Sequence, residues 1–237
     1  MTKRILLTGA SKGIGLETAK LLAQAGHKLS LAARNIEPLH ALKEQYGDQI
    51  LLVPTDVTKA DQVQALADRT VEVFGGIDVL VNNAGMASFD FLKDGKAEDW
   101  ERMVDVNIKG VLFTLHAVLP VMEKQEDGHI VNLGSVAAHH VFPRSVVYCA
   151  TKHAVLALSE GLRLELQNKI RTTTISPGAV ATEFAAQTTN PELREEMASY
   201  LKDGLDPVQV AKLIQQCIEL PPEMNMTEMI VRPVKRG

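Results

Sequence analysis

Alternation constrains this chain more than any single motif: short apolar runs of strand length take turns with longer segments of helical period. The runs are RILLTG (4–9), KLSLAA (28–33), QILLVPTDV (49–57), IDVLVNNAG (77–85), GHIVNLGS (128–135), RTTTISPG (171–178) and EMIVRP (228–233). Between most of them lie segments such as IGLETAKLLAQAG (14–26), KADQVQALADRTVEVFG (59–75) and YCATKHAVLALSEGLRLELQNK (148–169), whose apolar residues recur at helical spacing. Strands that are mostly apolar throughout, rather than at every second residue, are buried on both faces, and strands joined by helix-length crossovers run parallel. The pattern therefore predicts a doubly wound α/β domain, a parallel sheet with helices on both faces. Residues 1–237 read as one such domain, and the least regular stretch, near 183–206, predicts an insertion between the sixth strand and the last helix. Open α/β sheets bind ligands beyond the carboxyl ends of their strands, so the turns after LLTG, LAAR, NNAG, NLGS and TISPG should share one crevice.

Charge and cysteine content narrow the classes of partner. A formal charge of −4, with acidic and basic residues mixed along the chain, gives no basic field for nucleic acid or an anionic membrane. Two cysteines, Cys149 and Cys217, make neither a disulfide framework nor a metal-ligand spacing, and no metal is expected. The opening MTKRILLTG has positive charges before apolar residues, but that apolar run is shorter than a signal peptide's and continues into a glycine turn. No apolar run in the sequence has membrane-spanning length. These features predict a cytoplasmic protein acting on small molecules.

TGASKGIG follows the first strand directly and opens the first helix, with Gly9, Gly13 and Gly15 in its turn. Glycines there permit a tight turn and close approach of backbone to a pyrophosphate, while free N–H groups and the helix dipole favour the anion. The same three glycines could instead serve tight strand-to-helix packing alone. The TG-x-x-x-G-x-G spacing, together with NNAG (82–85), resembles the short-chain dehydrogenase/reductase family in its compact single-domain form. Further pieces fall in that family's order: Asp56 in TDV, Asn107 in DVN, Ser135 in GS, Tyr148 with Lys152, and PGAVAT from Pro177 to Thr182. The resemblance covers nearly the whole chain and implies a Rossmann-like sheet of seven parallel strands, a nicotinamide cofactor, and hydride transfer between it and a carbonyl or alcohol.

Charge at the end of the second strand bears on which nicotinamide is used, because an acidic side chain there binds the adenosine ribose and repels a 2′-phosphate. Ala33 stands where an NAD-preferring relative would carry Asp, and Arg34 follows it. Lys12 in the glycine loop supplies a second cation, and charge-assisted bonds to phosphate are strong, so NADP(H) is the expected cofactor. The cofactor-binding loop comprises Gly9, Ser11, Lys12, Gly13, Ile14 and Gly15, with Lys12 reaching for the 2′-phosphate beside Arg34; by resemblance, Asp56 and Val57 hold the adenine, and the backbone of Asn83, Ala84 and Gly85 lines the cofactor. Pro177, Gly178, Val180 and Thr182 would hold the carboxamide. Asn82 and Asn83 could equally tie strand ends together.

YCATK (148–152) places a phenol and an ammonium one helical turn apart, and of the three tyrosines only Tyr148 has a lysine four positions on. Reducing a carbonyl requires a proton donor, and a nearby positive charge brings a phenol's pKa toward working pH. Tyr148 is the expected acid/base. The resemblance gives Lys152 the further task of holding the nicotinamide ribose, Ser135 that of binding the substrate oxygen, and Asn107 that of anchoring a water linking Lys152 to solvent. A hydrolase built on Ser135 with His139 or His140 is disfavoured because NLGSVA lacks the G-x-S-x-G elbow. Met86, Phe89, Phe142 and Phe184 are expected to make the substrate pocket partly apolar, while His140 and Arg144 are either polar substrate contacts or solvated loop residues. The leading expectation is an NADPH-dependent carbonyl reductase. A 3-oxoacyl thioester reductase and a catalytically silent NADP(H)-sensing protein are the alternatives. The resemblance also implies homodimers or homotetramers packed through the long helices around Asn107 and Tyr148; GVLFTLHAVLPVM and HAVLALSEGLRLEL, whose apolar residues exceed one face, are consistent with that and equally with burial inside a monomer.

Overall fold

The computed structural model describes residues 1–166 and 169–234. Residues 167 and 168 of the expected helix 148–169, and the last three of the expected domain, lie outside the described residues. Seven strands form one parallel sheet: β1 (Arg4–Thr8), β2 (Lys28–Ala33), β3 (Ile50–Pro54), β4 (Val79–Asn82), β5 (Gly128–Leu133), β6 (Ile170–Pro177) and β7 (Glu228–Val231). Their order is β3-β2-β1-β4-β5-β6-β7. The chain winds outward from β1 to β3 and then crosses to β4, so β1 and β4 are neighbours at the point where the winding reverses.

Alternation along β1 shows how one strand serves two layers. Ile5 and Leu7 pack with Leu29 and Leu31 of β2 against Ala19 and Leu22 of α1 (Gly13–Gln24) and Val210 and Ile214 of α8 (Pro207–Glu219). Leu6 points the other way, joining Leu80 and Ile130 under α3 (Ala60–Phe74), α5 (Gly110–Gln125) and α6 (Val146–Glu165). Each fully buried leucine or isoleucine in these layers contributes on the order of 2 kcal/mol of hydrophobic stabilisation. The shorter α2 (His40–Tyr46) closes the β2–β3 connection.

Two features depart from the alternating pattern. Helix α4 (Ala97–Val104) runs into a π turn at Asp105–Lys109 and on into α5, giving one helical run, Ala97–Gln125. By length and composition that run could cross a membrane, contrary to the expectation of no such segment. The π turn at Asp105–Lys109 joins α4 to α5 and gives the run its length. Val111, Leu115, Val118 and Met122 of α5 are buried against the sheet, the arrangement of a sheet-covering helix.

The second departure lies between β6 and α8, where an irregular insertion was expected. Its two ends are stitched together by a parallel bridge between Val180 and Leu205, with Leu205 N donating to Ala179 O (2.9 Å) and Ala181 N to Leu205 O (2.8 Å). Beyond that stem the chain forms a 3-10 turn at Glu183–Gln187 and a full helix, α7 (Pro191–Lys202). Asn190 caps α7 by accepting from Leu193 N at 3.3 Å, Pro191 suits its first turn, and Leu193 and Leu201 are buried on its inner side.

Candidate active site

The crevice is built where the carboxyl ends of β1 and β4 meet. Gly9 and Gly13 have φ of +65° and +54°, the left-handed region that glycine tolerates without a Cβ penalty. A Cβ on Gly9 would lie 2.8 Å from Ala84 Cα, and one on Gly15 would lie 2.2 Å from Gly9 O. Asn83 fastens the two loops: its Nδ2 donates to Thr8 O (2.9 Å) and Gly9 O (3.0 Å), while Thr8 Oγ1 accepts from the amides of Asn83 and Ala84, both at 3.1 Å. The tying role considered for the asparagines is therefore real for Asn83 and, through Thr114 and Asn132, for Asn82 as well. Thr114 Oγ1 donates to Asn82 Oδ1 (2.6 Å), Asn82 Nδ2 to Asn132 Oδ1 (2.9 Å) and Asn132 Nδ2 to Ser159 Oγ (2.9 Å), a buried chain linking α5, β4, β5 and α6.

The residues at this end of the sheet fit a dinucleotide. Helix α1 starts at Gly13 with no side-chain cap and no acidic residue in its first turn, so its amino end is chemically open to an anion. Lys12 and Arg34 are exposed and form no ion pair among the described residues. Burial pushes the Asp56 carboxyl up, but bonds from the Thr58 amide and hydroxyl (3.0 and 2.8 Å), with the Arg34 charge, hold it below the usual carboxylate range. Val57 packs over the start of α5 at Gly110. On the other side of the crevice Gly178 N donates to Val231 O (2.7 Å), Val180 sits in the stem bridge, and Thr182 Cγ2 lies 3.1 Å from where a Cβ of Gly13 would be. Ser11 and Ile14 are half-buried between these walls, and Pro177 closes β6.

Deeper in the crevice Tyr148, Lys152, Ser135 and Asn107 are all buried. Lys152 Nζ donates to Leu133 O at 2.7 Å and lies 6.0 Å from the centre of the Tyr148 ring. Burial lowers the Lys152 ammonium to about 8. Burial likewise raises the Tyr148 phenol to about 12, although hydrogen bonding with Ser135 pulls it down. Desolvation of the phenolate is the largest influence on this phenol, and the hydrogen bond with Ser135 is what opposes it. Ser135 Oγ also accepts from Ala137 N (3.1 Å), which turns the chain after β5.

Asn107 sits in the π turn. Its Oδ1 accepts from Met86 N (2.8 Å), and its Nδ2 donates to Met86 O (2.8 Å) and Thr151 Oγ1 (3.0 Å). This pins the backbone after NNAG, so that a Cβ on Gly85 would lie 3.5 Å from Asn107 Oδ1 and 3.9 Å from Lys152 Nζ. Thr151, one residue before the lysine, received no role in the sequence reading. A buried threonine on the inner face of the helix that carries Y-x-x-x-K was its available signal.

Around the phenol the walls are apolar. Phe89 and Phe184 pack edge-on against Tyr148 with ring centres 6.3 and 5.6 Å away, and Met86, Ala137, Ala179 and Ala185 join the same cluster. Phe142 does not belong to it: it is 42% exposed and tilts against His140. Arg144 is taken up by Glu196 of α7 (2.7 and 2.8 Å) and stacks over Phe91, and His139 pairs with Glu228 (2.8 Å) on β7. Among the described residues no group of three His, Cys, Asp or Glu is arranged to hold a metal.

Comparison with known proteins agrees with this geometry. A family model described as short chain dehydrogenase matches residues 3–193. An uncharacterized oxidoreductase of Staphylococcus saprophyticus is 46% identical over 98% of this chain and 96% of its own length. The closed form of a serine dehydrogenase complexed with NADP+ superposes with a TM-score of 0.92 at 32% identity, covering 98% of this chain and 96% of that one. A short chain dehydrogenase/reductase from Burkholderia phymatum in complex with NAD gives a TM-score of 0.88 at 31% identity, over 97% of this chain and 88% of that one.

Proposed function

The chain belongs to the short-chain dehydrogenase/reductase family and is an oxidoreductase, and from that premise we propose that it is an NADPH-dependent carbonyl reductase of small, largely apolar substrates. The observation that carries this reading is a buried phenol next to a buried amine, in the same crevice as an uncapped helix terminus behind a glycine loop. A bound nicotinamide would supply or accept the hydride. The amides at the start of α1, with Ser11, Gly13 and Ile14, would hold its pyrophosphate, and Lys12 and Arg34 its 2′-phosphate. Asp56 and Val57 would hold the adenine, the backbone from Asn83 to Gly85 would line the ribose side, and Pro177, Gly178, Val180 and Thr182 would orient the carboxamide.

Lys152 would hold the nicotinamide ribose, and Tyr148 would protonate the carbonyl oxygen. A phenol raised to about 12 is fully protonated near neutrality, the form that a reduction consumes. Ser135, beside the phenol, would hold that same oxygen, and Asn107 would keep the Met86–Gly85 backbone against Lys152 and anchor a water leading from it to solvent. Phe89, Phe184 and Met86 make the wall against the phenol apolar, Lys152 is assigned to the nicotinamide ribose and Arg144 is taken up by Glu196, which favours neutral ketones and aldehydes over carboxylates. Two or four copies would assemble through α5 and α6.

The test is NADPH oxidation, followed at 340 nm, across a panel of ketones, aldehydes and 3-oxo esters. Tyr148→Phe should lower kcat/KM by about 10²–10⁴-fold without weakening NADPH binding, the usual worth of a positioned acid. Tight NADPH binding by the wild-type protein with no turnover on any carbonyl would overturn the reductase reading. Equal kcat/KM with NADH would overturn the cofactor preference.

A further inference from the structure

One buried carboxylate outside the reacting centre is held entirely by side chains. Asp99, in the first turn of α4, is 5% exposed. Its Oδ2 accepts from Ser88 Oγ (3.0 Å) and Thr189 Oγ1 (2.7 Å), and its Oδ1 accepts from Arg102 Nη1 (3.2 Å). It is not the cap of its helix: Lys96 holds that position and makes no side-chain cap bond. Asp99 instead joins three segments, the loop after β4 through Ser88, its own helix through Arg102, and the β6–α8 insertion through Thr189. A buried carboxylate that lost these donors would bear a desolvation cost with nothing to offset it.

Neighbouring bonds pull the insertion to the same place. Arg102 Nη2 donates to Gln187 Oε1 (3.2 Å), and Phe89 N donates to Thr188 Oγ1 (3.4 Å). Phe184, from the same segment, lies against the Tyr148 ring, while the Val180–Leu205 bridge fixes both ends of the segment. The segment is therefore a stem-closed flap whose inner residue touches the phenol and whose far side is held by Asp99. The helical run that carries Asp99 also carries Asn107 at its π turn, so latch and reacting centre share one rigid element.

We propose that Asp99 is a positioning residue: through Thr189 it holds the 182–204 segment shut over Tyr148, and so governs how tightly a carbonyl substrate is retained. This rests on the reading of Tyr148 as the acid. The experiment compares wild type with Thr189→Val, which removes one exposed hydroxyl, Thr189→Ser, which restores it, and Asp99→Asn. Backbone hydrogen exchange by mass spectrometry is read for residues 183–202, alongside kcat and KM for the best carbonyl and NADPH affinity by calorimetry. In Thr189→Val and Asp99→Asn, exchange in 183–202 and KM should each rise about five-fold, the worth of one hydrogen bond to a charged group near 1 kcal/mol, with kcat and NADPH affinity little changed. Thr189→Ser should behave as wild type. Wild-type exchange in Thr189→Val overturns the proposal, and so does faster exchange with an unaltered KM. Should the wild-type protein turn over no carbonyl, the acid reading fails, while the exchange rates still decide whether Asp99 is the latch.

Discussion

Lys152 shows most directly what one residue exchanges for its position. Its amine is brought down from 10.5 to about 8 because burial disfavours the charged form, and among its contacts the Leu133 carbonyl is the hydrogen-bond partner. Between those two values the unfolded chain binds a proton that the folded chain does not, so stability rises with pH across that window. Below about 8 both states are protonated and the whole penalty of burying the ammonium is present. Lys152→Met removes the penalty along with the bond to Leu133 O. We expect the variant to be more stable than wild type by about 1–2 kcal/mol near neutrality, less than the shift alone implies because that bond is lost. The advantage should shrink in urea titrations repeated at about pH 9.5, below the range where Tyr148 titrates. A variant less stable than wild type at both pH values would show that the ammonium's hydrogen bond outweighs its desolvation. The variant should also be inactive, which identifies a residue kept for chemistry at the expense of stability.

At the scale of elements, the sequence made the sheet legible because apolar runs and helical periods are local signals, and KLSLAA coincides with β2 to the residue. Helix α7 was less legible: PELREEMASYLK carries few apolar residues and stabilises itself through a cap and two buried leucines rather than a continuous stripe. The π turn at Asp105–Lys109 left no compositional mark, and so the continuity of α4 with α5 was hidden. Motif spacing brought the four residues of the proposed reacting centre to notice, but nothing local could announce that Thr151 meets Asn107 or that Thr189 meets Asp99 across 90 residues. The glycine turn that opens α1 separates two roles which the sequence alone left open. An alanine methyl at Gly15 would meet the backbone oxygen of Gly9 at 2.2 Å, a clash that no side-chain rotation relieves. Gly15→Ala should therefore cost about 3 kcal/mol of stability, visible as a lower Tm without any cofactor. At Gly13 the methyl would meet only Thr182 at 3.1 Å, and the left-handed backbone adds about 1 kcal/mol of strain. Gly13→Ala should keep a near-native Tm and lose NADPH affinity in calorimetry. Equal Tm losses in the two variants would mean that the whole turn serves packing rather than an anion.

At the scale of the whole molecule, the outer faces of α5 and α6 carry exposed side chains, leucines among them. Leu112, His116 and Pro120 are exposed along α5, and Ala150, His153, Ala157 and Leu164 along α6, each set at helical spacing. Leu112 is 41% and Leu164 53% exposed, and only 39% of the most apolar window of the run Ala97–Gln125 is buried within one copy. Both helices already cover the sheet with their opposite sides through Val111, Leu115, Val155 and Leu162. A second copy laid against the outer sides would cover the remainder and, because the same helices carry Asn107 and Tyr148, would stiffen the reacting centre from behind. Leu112→Arg with Leu164→Arg tests this, since two guanidinium groups in a desolvated apolar contact cost several kcal/mol unless they find partners. The wild-type protein should sediment as a dimer or tetramer, and the double variant as a folded monomer with an unchanged circular dichroism spectrum and reduced turnover. A wild-type chain that sediments as a monomer at assay concentrations would rule out assembly through this face.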